Sequence, residues 1–305
     1  MSETLLYRPD HAVNLRETLA PLGRGPADPT TLWDEHGLWR SFRTPQGPAT
    51  LRLEDARPAV QVTAWGPGAP WAVAAAPQLL GSRDEPGMLE RTPARGGGAR
   101  GAAGPDLIPR AADRRNDLAG PDAPGYHLVS ESAHRHPGLR LMRTGLLLEA
   151  LIPAILEQRV TSTEAFRSWA RLVRAYGEPA PGPRVDGAPR VPERLRVVPA
   201  PETWRRIPSW GWHKAGVDPR RSRAVVEACR HAAALERLAL LDGADARRRL
   251  TSIPGIGVWT AAEAVQRSHG DPDAVSVGDY HLAAHVGTAL IGRPVDDARM
   301  LRLLS

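Results

Sequence analysis

Residues 250–282 read LTSIPGIGVWTAAEAVQRSHGDPDAVSVGDYHL, the part of the sequence with the most specific structural pattern. Pro254, Gly255 and Gly257 interrupt a helical pattern, which resumes over VWTAAEAVQR at residues 258–267. Glycine adopts positive φ angles and leaves no Cβ in the path of an approaching backbone. The pattern therefore predicts two helices joined by a tight, glycine-containing hairpin.

A carboxylate follows this hairpin. Asp279 stands 279 − 259 = 20 residues after Trp259, directly after Gly278, and the helical pattern YHLAAHVGTAL comes next. The N-terminus of the second hairpin helix carries N–H groups without an intrahelical acceptor and a partial positive charge. We therefore expect the hairpin to bind an anion, and a DNA phosphate fits this expectation.

Three further segments lie upstream in a fixed order: HPGLRLMRTG at 136–145, AILEQRV at 154–160 and RLVRAYGEP at 171–179. Together with the hairpin and Asp279, they resemble the helix-hairpin-helix DNA glycosylases, and within them the bacterial 3-methyladenine DNA glycosylase II family. The resemblance covers the chain from about Gly125 to its end, with a weaker echo in the first 90 residues.

The resemblance implies a DNA-repair enzyme that hydrolyses the N-glycosidic bond of an alkylated base flipped out of duplex DNA. The sugar develops cationic character in such a reaction, and a carboxylate beside it is stabilising. Taken alone, Asp279 fits a helix N-cap equally well, but the hairpin motif upstream favours a catalytic carboxylate. Superfamily members that also cleave the strand use a lysine at the position of Trp259, so we expect base release without lyase activity.

The resemblance also assigns the remaining site residues. Trp259 and Tyr280 are expected to line the base pocket, where an alkylated, positively charged purine would stack on their rings. The DNA backbone would contact N–H groups of Gly255, Gly257 and Thr260. Arg159 would fill the gap that the flipped base leaves, or contact a phosphate. Main-chain carbonyls would hold a structural Na⁺ or K⁺, and no other cofactor is expected. These carbonyls belong to Thr251, Ile253 and Ile256.

Composition sets the outer limits. The formal net charge of +6 favours a polyanionic partner, here double-stranded DNA. Lys214 is the only lysine, and the single cysteine, Cys229, excludes an intrachain disulfide and a four-cysteine cluster. We see no signal peptide or membrane-spanning run, and we expect a monomer in the cytoplasm, associated with the nucleoid.

The chain divides by composition into three parts. Residues 1–90 predict a small α+β domain with a helix at 11–20, an antiparallel meander of strands at 38–45, 49–56 and 59–66, and a helix at 71–81. Residues 91–125 are rich in Gly, Ala, Pro and Arg and predict a linker or insertion. Residues 126–305 predict a mainly α helix-hairpin-helix glycosylase domain.

Within that last part, the pattern predicts a capping box over Thr161–Glu164, a helix ending at Gly177, a loop at 177–189 and one long helix at 220–240. Cys229 is expected to be a small core residue. His127, His134 and His136 have no carboxylate or cysteine at ligand spacing, so a metal site there is disfavoured.

Two alternatives stay open. The family continues through one more helix, with another pocket aromatic, beyond the position of Ser305, which leaves room for a weak or inactive enzyme that only binds DNA. A glycosylase for oxidised or deaminated bases is the other alternative.

Overall fold

The computed structural model describes residues 2–84, 126–183 and 190–305, without the side chains of residues 126, 127 and 129. The predicted linker at 91–125 lies outside these residues, and so does part of the predicted loop at 177–189. The chain forms two compact units, Met1–Asp84 with Gly138–Ser276, and Glu85–Pro137 with Val277–Ser305. Their limits differ from those of the predicted domains, which follow changes of composition, and the domain division stays a prediction.

The first unit begins with a five-stranded antiparallel sheet in the order β1-β5-β4-β3-β2. Its strands are β1 Ser2–Tyr7, β2 Thr31–Trp33, β3 Gly37–Thr44, β4 Gly47–Ala56 and β5 Ala59–Trp65. Leu38 pairs with Leu53, and Leu53 with Val62, so apolar side chains of three neighbouring strands share one buried face. The predicted meander is confirmed, whereas the two edge strands, β1 and β2, were not predicted.

Two helices and a short 3₁₀ turn accompany this sheet: α1 Leu15–Leu19, the turn Ala20–Leu22, and α2 Ala69–Leu79. The helix predicted at 11–20 is wrong at its start. The Asn14 side chain accepts the N–H groups of Arg16 and Glu17, which places the N-cap at Asn14 and keeps the preceding residues out of the helix.

The rest of the described chain is mainly helical. Its helices, in chain order, are α3 Tyr126–Arg135, α4 Leu147–Leu156, α5 Ser162–Tyr176, α6 Pro201–Arg206, α7 Ser209–Ala215, α8 Pro219–Arg230, α9 Ala232–Leu238, α10 Gly243–Thr251, α11 Val258–His269, α12 Leu282–Ile291 and α13 Asp297–Leu304. A two-stranded ribbon, β6 Glu178–Pro179 with β7 Arg196–Val197, was not predicted. The α+β start and the mainly helical remainder confirm the predicted fold class.

Two helix predictions have opposite outcomes. The capping box is confirmed: the Thr161 side chain accepts the N–H of Glu164, and the Glu164 side chain accepts the N–H of Thr161. The single helix predicted at 220–240 is wrong, because the chain bends at His231 (φ −101°, ψ 15°) between α8 and α9. The bend lets Cys229 and Leu235, on successive helices, both enter the core.

The core of the helical part is built on stacked indole rings. Trp204 lies 6.4 Å from Trp169 and 5.8 Å from Trp212, with nearly parallel planes in both pairs. Cys229 is buried as predicted, and burial raises the pKa of its thiol to about 12. A thiol held neutral in this way is a packing group and a poor nucleophile.

Buried polar contacts join the sheet to the helices within the first unit. Arg40 of β3 donates to Glu149 of α4 at 2.6 Å, and both side chains are almost completely buried. Asp28 accepts the indole N–H of Trp169 at 3.1 Å. Removing one partner of a buried ion pair costs about 3–5 kcal/mol, so the sheet and the helices depend on each other for stability.

Candidate nucleic-acid interface and catalytic carboxylate

The hairpin loop, residues 252–257, joins α10 to α11 within the first unit. The N–H of Ile253 donates to the carbonyl of Leu250 at 3.0 Å, and the N–H of Ile256 donates to that of Ile253 at 3.1 Å. Ile256 is buried in the helical core and anchors the loop. Gly255 has φ +89°, which side chains rarely adopt, and a Cβ there would lie 3.0 Å from that of Ala224. The predicted hairpin is therefore present.

The outer side of this loop offers N–H donors. Gly257 precedes α11 in an extended conformation, and no acidic residue lies in the first turn of that helix. Within the part of the chain that the structure describes, the N–H groups of Gly255, Gly257 and Thr260 have no acceptor. A Cβ built on Gly257 would meet nothing within 4 Å, so the space beside it is open. The arrangement has the chemistry of an anion site at a helix N-terminus.

A glutamine that the sequence analysis did not single out ties this hairpin to a second loop. Gln158 lies in the 157–161 loop, between α4 and α5, and its Nε2 donates to the carbonyl of Gly255 and to Oγ1 of Thr260, each at 2.9 Å. The contact joins positions 97 residues apart, so no local pattern could have predicted it. The only indication of this glutamine in the sequence was the AILEQRV segment at 154–160, which is one of the segments that carry the family resemblance.

Arg159 is in the same loop. Among the described residues it is the only non-glycine residue with positive φ, at 56°, and its side chain is exposed. Such a conformation costs of order 1–3 kcal/mol, and strained positions of this kind cluster at functional sites. The neighbouring Glu157 is paired with the buried Arg24, at 3.4 Å from its Nε. The 157–161 loop is thus held on one side by Gln158 and the hairpin, and on the other by the N-terminal region.

Trp259 is the second residue of α11 and is half-buried. It occupies the position at which a lyase would carry its lysine, according to the resemblance. Lys214 is in α7, outside the hairpin, and is exposed. The hairpin therefore supplies an indole ring and backbone donors.

Asp279 and Tyr280 belong to the second unit. Oδ1 of Asp279 accepts the N–H groups of His281 at 2.9 Å and Leu282 at 3.0 Å, and the carboxylate is half-buried. Gly278 has φ +86°, which is a glycine conformation. The carboxylate thus shapes the turn before α12, as an N-cap would, and its catalytic role stays a prediction. Tyr280 is 92% exposed. Its ring is nearly perpendicular to the imidazole ring of His281, and the two ring centroids are 4.7 Å apart.

Ser276, the last residue of the first unit, is fixed to the second hairpin helix. Only Val277 and Gly278 separate Asp279 from Ser276, whose hydroxyl donates to Glu263 at 2.5 Å. Nε2 of Gln266 donates to the same hydroxyl at 3.0 Å. Both Glu263 and Gln266 are in α11, so one helix carries the hairpin donors and fixes the start of the segment that leads to the carboxylate.

The three backbone carbonyls that the resemblance assigns to a monovalent cation retain free acceptor capacity among the described residues. Among the described residues, no donor reaches the carbonyls of Thr251 and Ile256, while that of Ile253 accepts the N–H of Ile256 and retains a second lone pair. Hard cations prefer oxygen ligands of this kind. No group of three or more His, Cys, Asp or Glu residues in the described ranges could hold a metal ion. The ring of His134 is hydrogen-bonded to the carbonyl of Ser130 at 2.7 Å.

Comparison with known proteins finds a relative among DNA repair enzymes. No protein-family model matches the chain. A segment of 152 residues, 48% of the chain, is 31% identical to a protein of Mycobacterium tuberculosis described as a probable bifunctional transcriptional activator/DNA repair enzyme AlkA. The matched segment spans only 28% of the length of that relative.

No helix among the described residues is both long and apolar enough to cross a membrane.

Solved structures cover almost the whole chain. The 3-methyladenine DNA glycosylase of Archaeoglobus fulgidus matches with a TM-score of 0.71 and 15% identity, over 99% of this chain and 91% of that one. The 8-oxoguanine glycosylase/lyase of Clostridium acetobutylicum, solved with double-stranded DNA, matches with a TM-score of 0.59 and 10% identity, over 98% and 89%. The chain therefore has the fold of the helix-hairpin-helix DNA glycosylases.

Proposed function

We propose that the protein is a DNA base-excision repair glycosylase that hydrolyses the N-glycosidic bond of alkylated bases of the 3-methyladenine type. One observation carries this proposal. The hairpin has open backbone donors, and a carboxylate, Asp279, follows Trp259 by 279 − 259 = 20 residues in a turn that begins with Gly278. The similarity to a DNA repair enzyme in sequence and to a 3-methyladenine DNA glycosylase in fold supports it.

In this proposal the hairpin grips the DNA and Asp279 acts on the sugar. The N–H groups of Gly255, Gly257 and Thr260 bind a phosphate, and a Na⁺ or K⁺ on the carbonyls of Thr251, Ile253 and Ile256 adds positive charge beside it. Asp279 stabilises the developing sugar cation and orients or deprotonates the attacking water. Oδ1 already accepts two N–H groups, which fixes the direction of the carboxylate.

Base recognition falls to the aromatic side chains. Trp259 and Tyr280 stack on a flipped purine, and an N-alkylated purine is both cationic and a good leaving group. A site of this kind needs no strong general acid, which favours alkylated bases over uncharged ones. Arg159, on its strained backbone, fills the vacated stack through its guanidinium plane.

The partner is double-stranded DNA that contains damaged bases, bound by a monomer in the cytoplasm and at the nucleoid. The net charge of +6 supports this partner. We also propose that base release is not accompanied by strand cleavage, because Trp259 cannot form a Schiff base and the chain has no other lysine than Lys214.

The test is a panel of duplexes that each carry one lesion: 3-methyladenine, 7-methylguanine, 8-oxoguanine or uracil. We expect the purified protein to release the two methylated bases in single-turnover reactions and to leave the abasic strand uncut until alkali is added. Faster release of 8-oxoguanine or uracil would favour the alternative substrate class. DNA binding without release of any base would favour a binding protein.

A further inference from the structure

A cavity of about 380 Å³ lies within the first unit, and no residue of the hairpin loop or of the 157–161 loop lines it. Its walls come from the end of β3, the first turn of α4, and helices α5, α6 and α9. The volume falls within the range of small-molecule sites, about 300–1,000 Å³. The proposed glycosylase reaction makes no use of this space.

Most of the wall is apolar and part of it is aromatic. Trp169 and Trp204 stack at 6.4 Å, and Ile152 and Val198 extend the same lining. Ligand sites typically combine such apolar and aromatic walls with a few polar groups that fix the orientation of the ligand. Trp204 lies between Trp169 and Trp212 and is 1% exposed, and Trp169 is 4% exposed, so these indoles form part of the apolar wall without offering a free face for stacking.

The polar groups of the cavity are mostly acidic. Its charged lining residues are one arginine and three glutamates, which gives a formal charge of −2 if all are ionised: Arg43, Glu149, Glu202 and Glu236. Arg43 is engaged by Glu178, and Glu149 is paired with Arg40 at 2.6 Å. The excess negative charge therefore rests on Glu202 and Glu236.

Glu236 is the carboxylate of this cavity that is held by two backbone hydrogen bonds. Its two oxygens accept the N–H groups of Leu147 at 3.1 Å and Leu148 at 3.0 Å, at the start of α4. Within the described chain no Arg, Lys or His pairs with it, although burial raises the pKa of its carboxyl group. Two backbone donors fix the carboxylate in place, and a cation that enters the cavity would offset the cost of its charge.

We propose that this cavity binds a small organic cation with an apolar body of about the size of a bicyclic heterocycle. The apolar body packs against the apolar wall, and the positive charge lies beside Glu236 and Glu202. A carboxylate in apolar surroundings attracts a cation more strongly than one in water. The proposal does not depend on glycosylase activity.

The test uses three probes of similar shape with different charge. They are 1-methylquinolinium, neutral quinoline at pH 8 and the naphthalene-2-carboxylate anion, titrated into the full chain with tryptophan fluorescence and calorimetry as readouts. We expect the cation to bind at least roughly tenfold more tightly than quinoline, and the anion not to bind, because one well-placed charge interaction is worth a factor of this order. Equal binding of all three, or no binding of the cation, would overturn the proposal.

Substitutions of cavity residues test whether the cation binds in this cavity. Glu202→Gln removes an exposed charge, and Ala232→Leu fills the cavity; each should weaken cation binding, while Glu193→Gln, an exposed residue that does not line the cavity, should leave it unchanged. Thermal unfolding checks that each variant is folded. Wild-type affinity in both folded cavity variants would place the cation elsewhere and refute the assignment.

Discussion

At the scale of single residues, the two glycines of the hairpin have different reasons to be glycine. Gly255 needs its positive φ, and a side chain there would press on Ala224. Gly257 has an ordinary φ of −91° and open space beside it. The folded chain alone therefore gives no steric reason for glycine at 257, whereas a phosphate that approaches its N–H would give one.

We predict that Gly257→Ala folds with wild-type stability but binds duplex DNA roughly tenfold more weakly, because a lost hydrogen bond to a charged group costs about 1.5–3 kcal/mol. Gly255→Ala is the comparison for stability, because strain at its positive φ should lower the free energy of unfolding by about 1–2 kcal/mol. Thermal unfolding and DNA titration separate the two effects. Undiminished DNA affinity in a folded Gly257→Ala would remove this hairpin from the interface.

Glu149 gives a prediction on pH. Burial raises the pKa of this carboxyl group from 4.5 to about 7, with a smaller contribution from Glu236, against the lowering effect of Arg40 and of the Arg43 N–H. A group whose pKa is higher in the folded state stabilises the fold below its unfolded pKa, and this contribution is lost as pH rises through the folded pKa.

Between pH 5 and pH 8, the stability of the wild type should therefore fall relative to that of Glu149→Gln by up to about 3 kcal/mol. Glu149→Gln removes the titrating group and also changes the pairing with the buried Arg40, so its absolute stability shifts as well. The diagnostic quantity is thus the slope with pH in urea denaturation. Parallel pH profiles for the two proteins would show that this carboxyl group keeps an ordinary pKa.

At the scale of elements, structure that depends on neighbours in sequence was predictable. The capping box of α5 joins Thr161 to Glu164, and the meander has a period of two with turn residues between its strands. The bend at His231 was not predictable, because helical residues flank it and the need to bury both Cys229 and Leu235 is a property of the assembled core. β2 has three residues, too few for a period to show.

Loss of the capping box should lower stability measurably. We predict that Thr161→Ala lowers the free energy of unfolding by about 1 kcal/mol, because the N–H of Glu164 loses its acceptor. Ser162→Ala, at the next and equally exposed position, makes a suitable control and should change stability little. Equal effects of both substitutions in urea denaturation would mean that the cap is unimportant.

Gln158 connects two elements that sequence patterns could not join. Its side-chain amide donates to the hairpin at Gly255 and Thr260, so Gln158→Met keeps the length of the side chain and removes both donors. We predict a loss of about 1 kcal/mol in stability and a severalfold weaker affinity for DNA. Gln61→Met, in the sheet, should leave DNA binding unchanged. A Gln158→Met protein that binds DNA as the wild type does would show that the hairpin needs no such support.

At the scale of the whole molecule, the sequence located the hairpin and the carboxylate because both are compact signals in one stretch of chain. It did not reveal that residues of the N-terminal region hold the 157–161 loop through Arg24, or that Glu263 and Gln266 fix Ser276 ahead of Asp279. These supports depend on tertiary packing or on side-chain geometry, neither of which appears in a motif. They hold the 157–161 loop and Ser276 in place, and the proposed site depends on both.

The catalytic role of Asp279 is tested by single-turnover base release from methylated duplex DNA, measured for the wild type and for Asp279→Asn. The amide oxygen can still accept the N–H groups of His281 and Leu282, so the turn survives while the charge is lost. Asp296→Asn makes the same change at the N-cap of α13 and serves as the control.

We predict that Asp279→Asn binds the DNA as the wild type does and releases base roughly a hundredfold or more slowly, whereas Asp296→Asn retains the wild-type rate. Base release by Asp279→Asn at the wild-type rate would show that Asp279 is not the catalytic carboxylate.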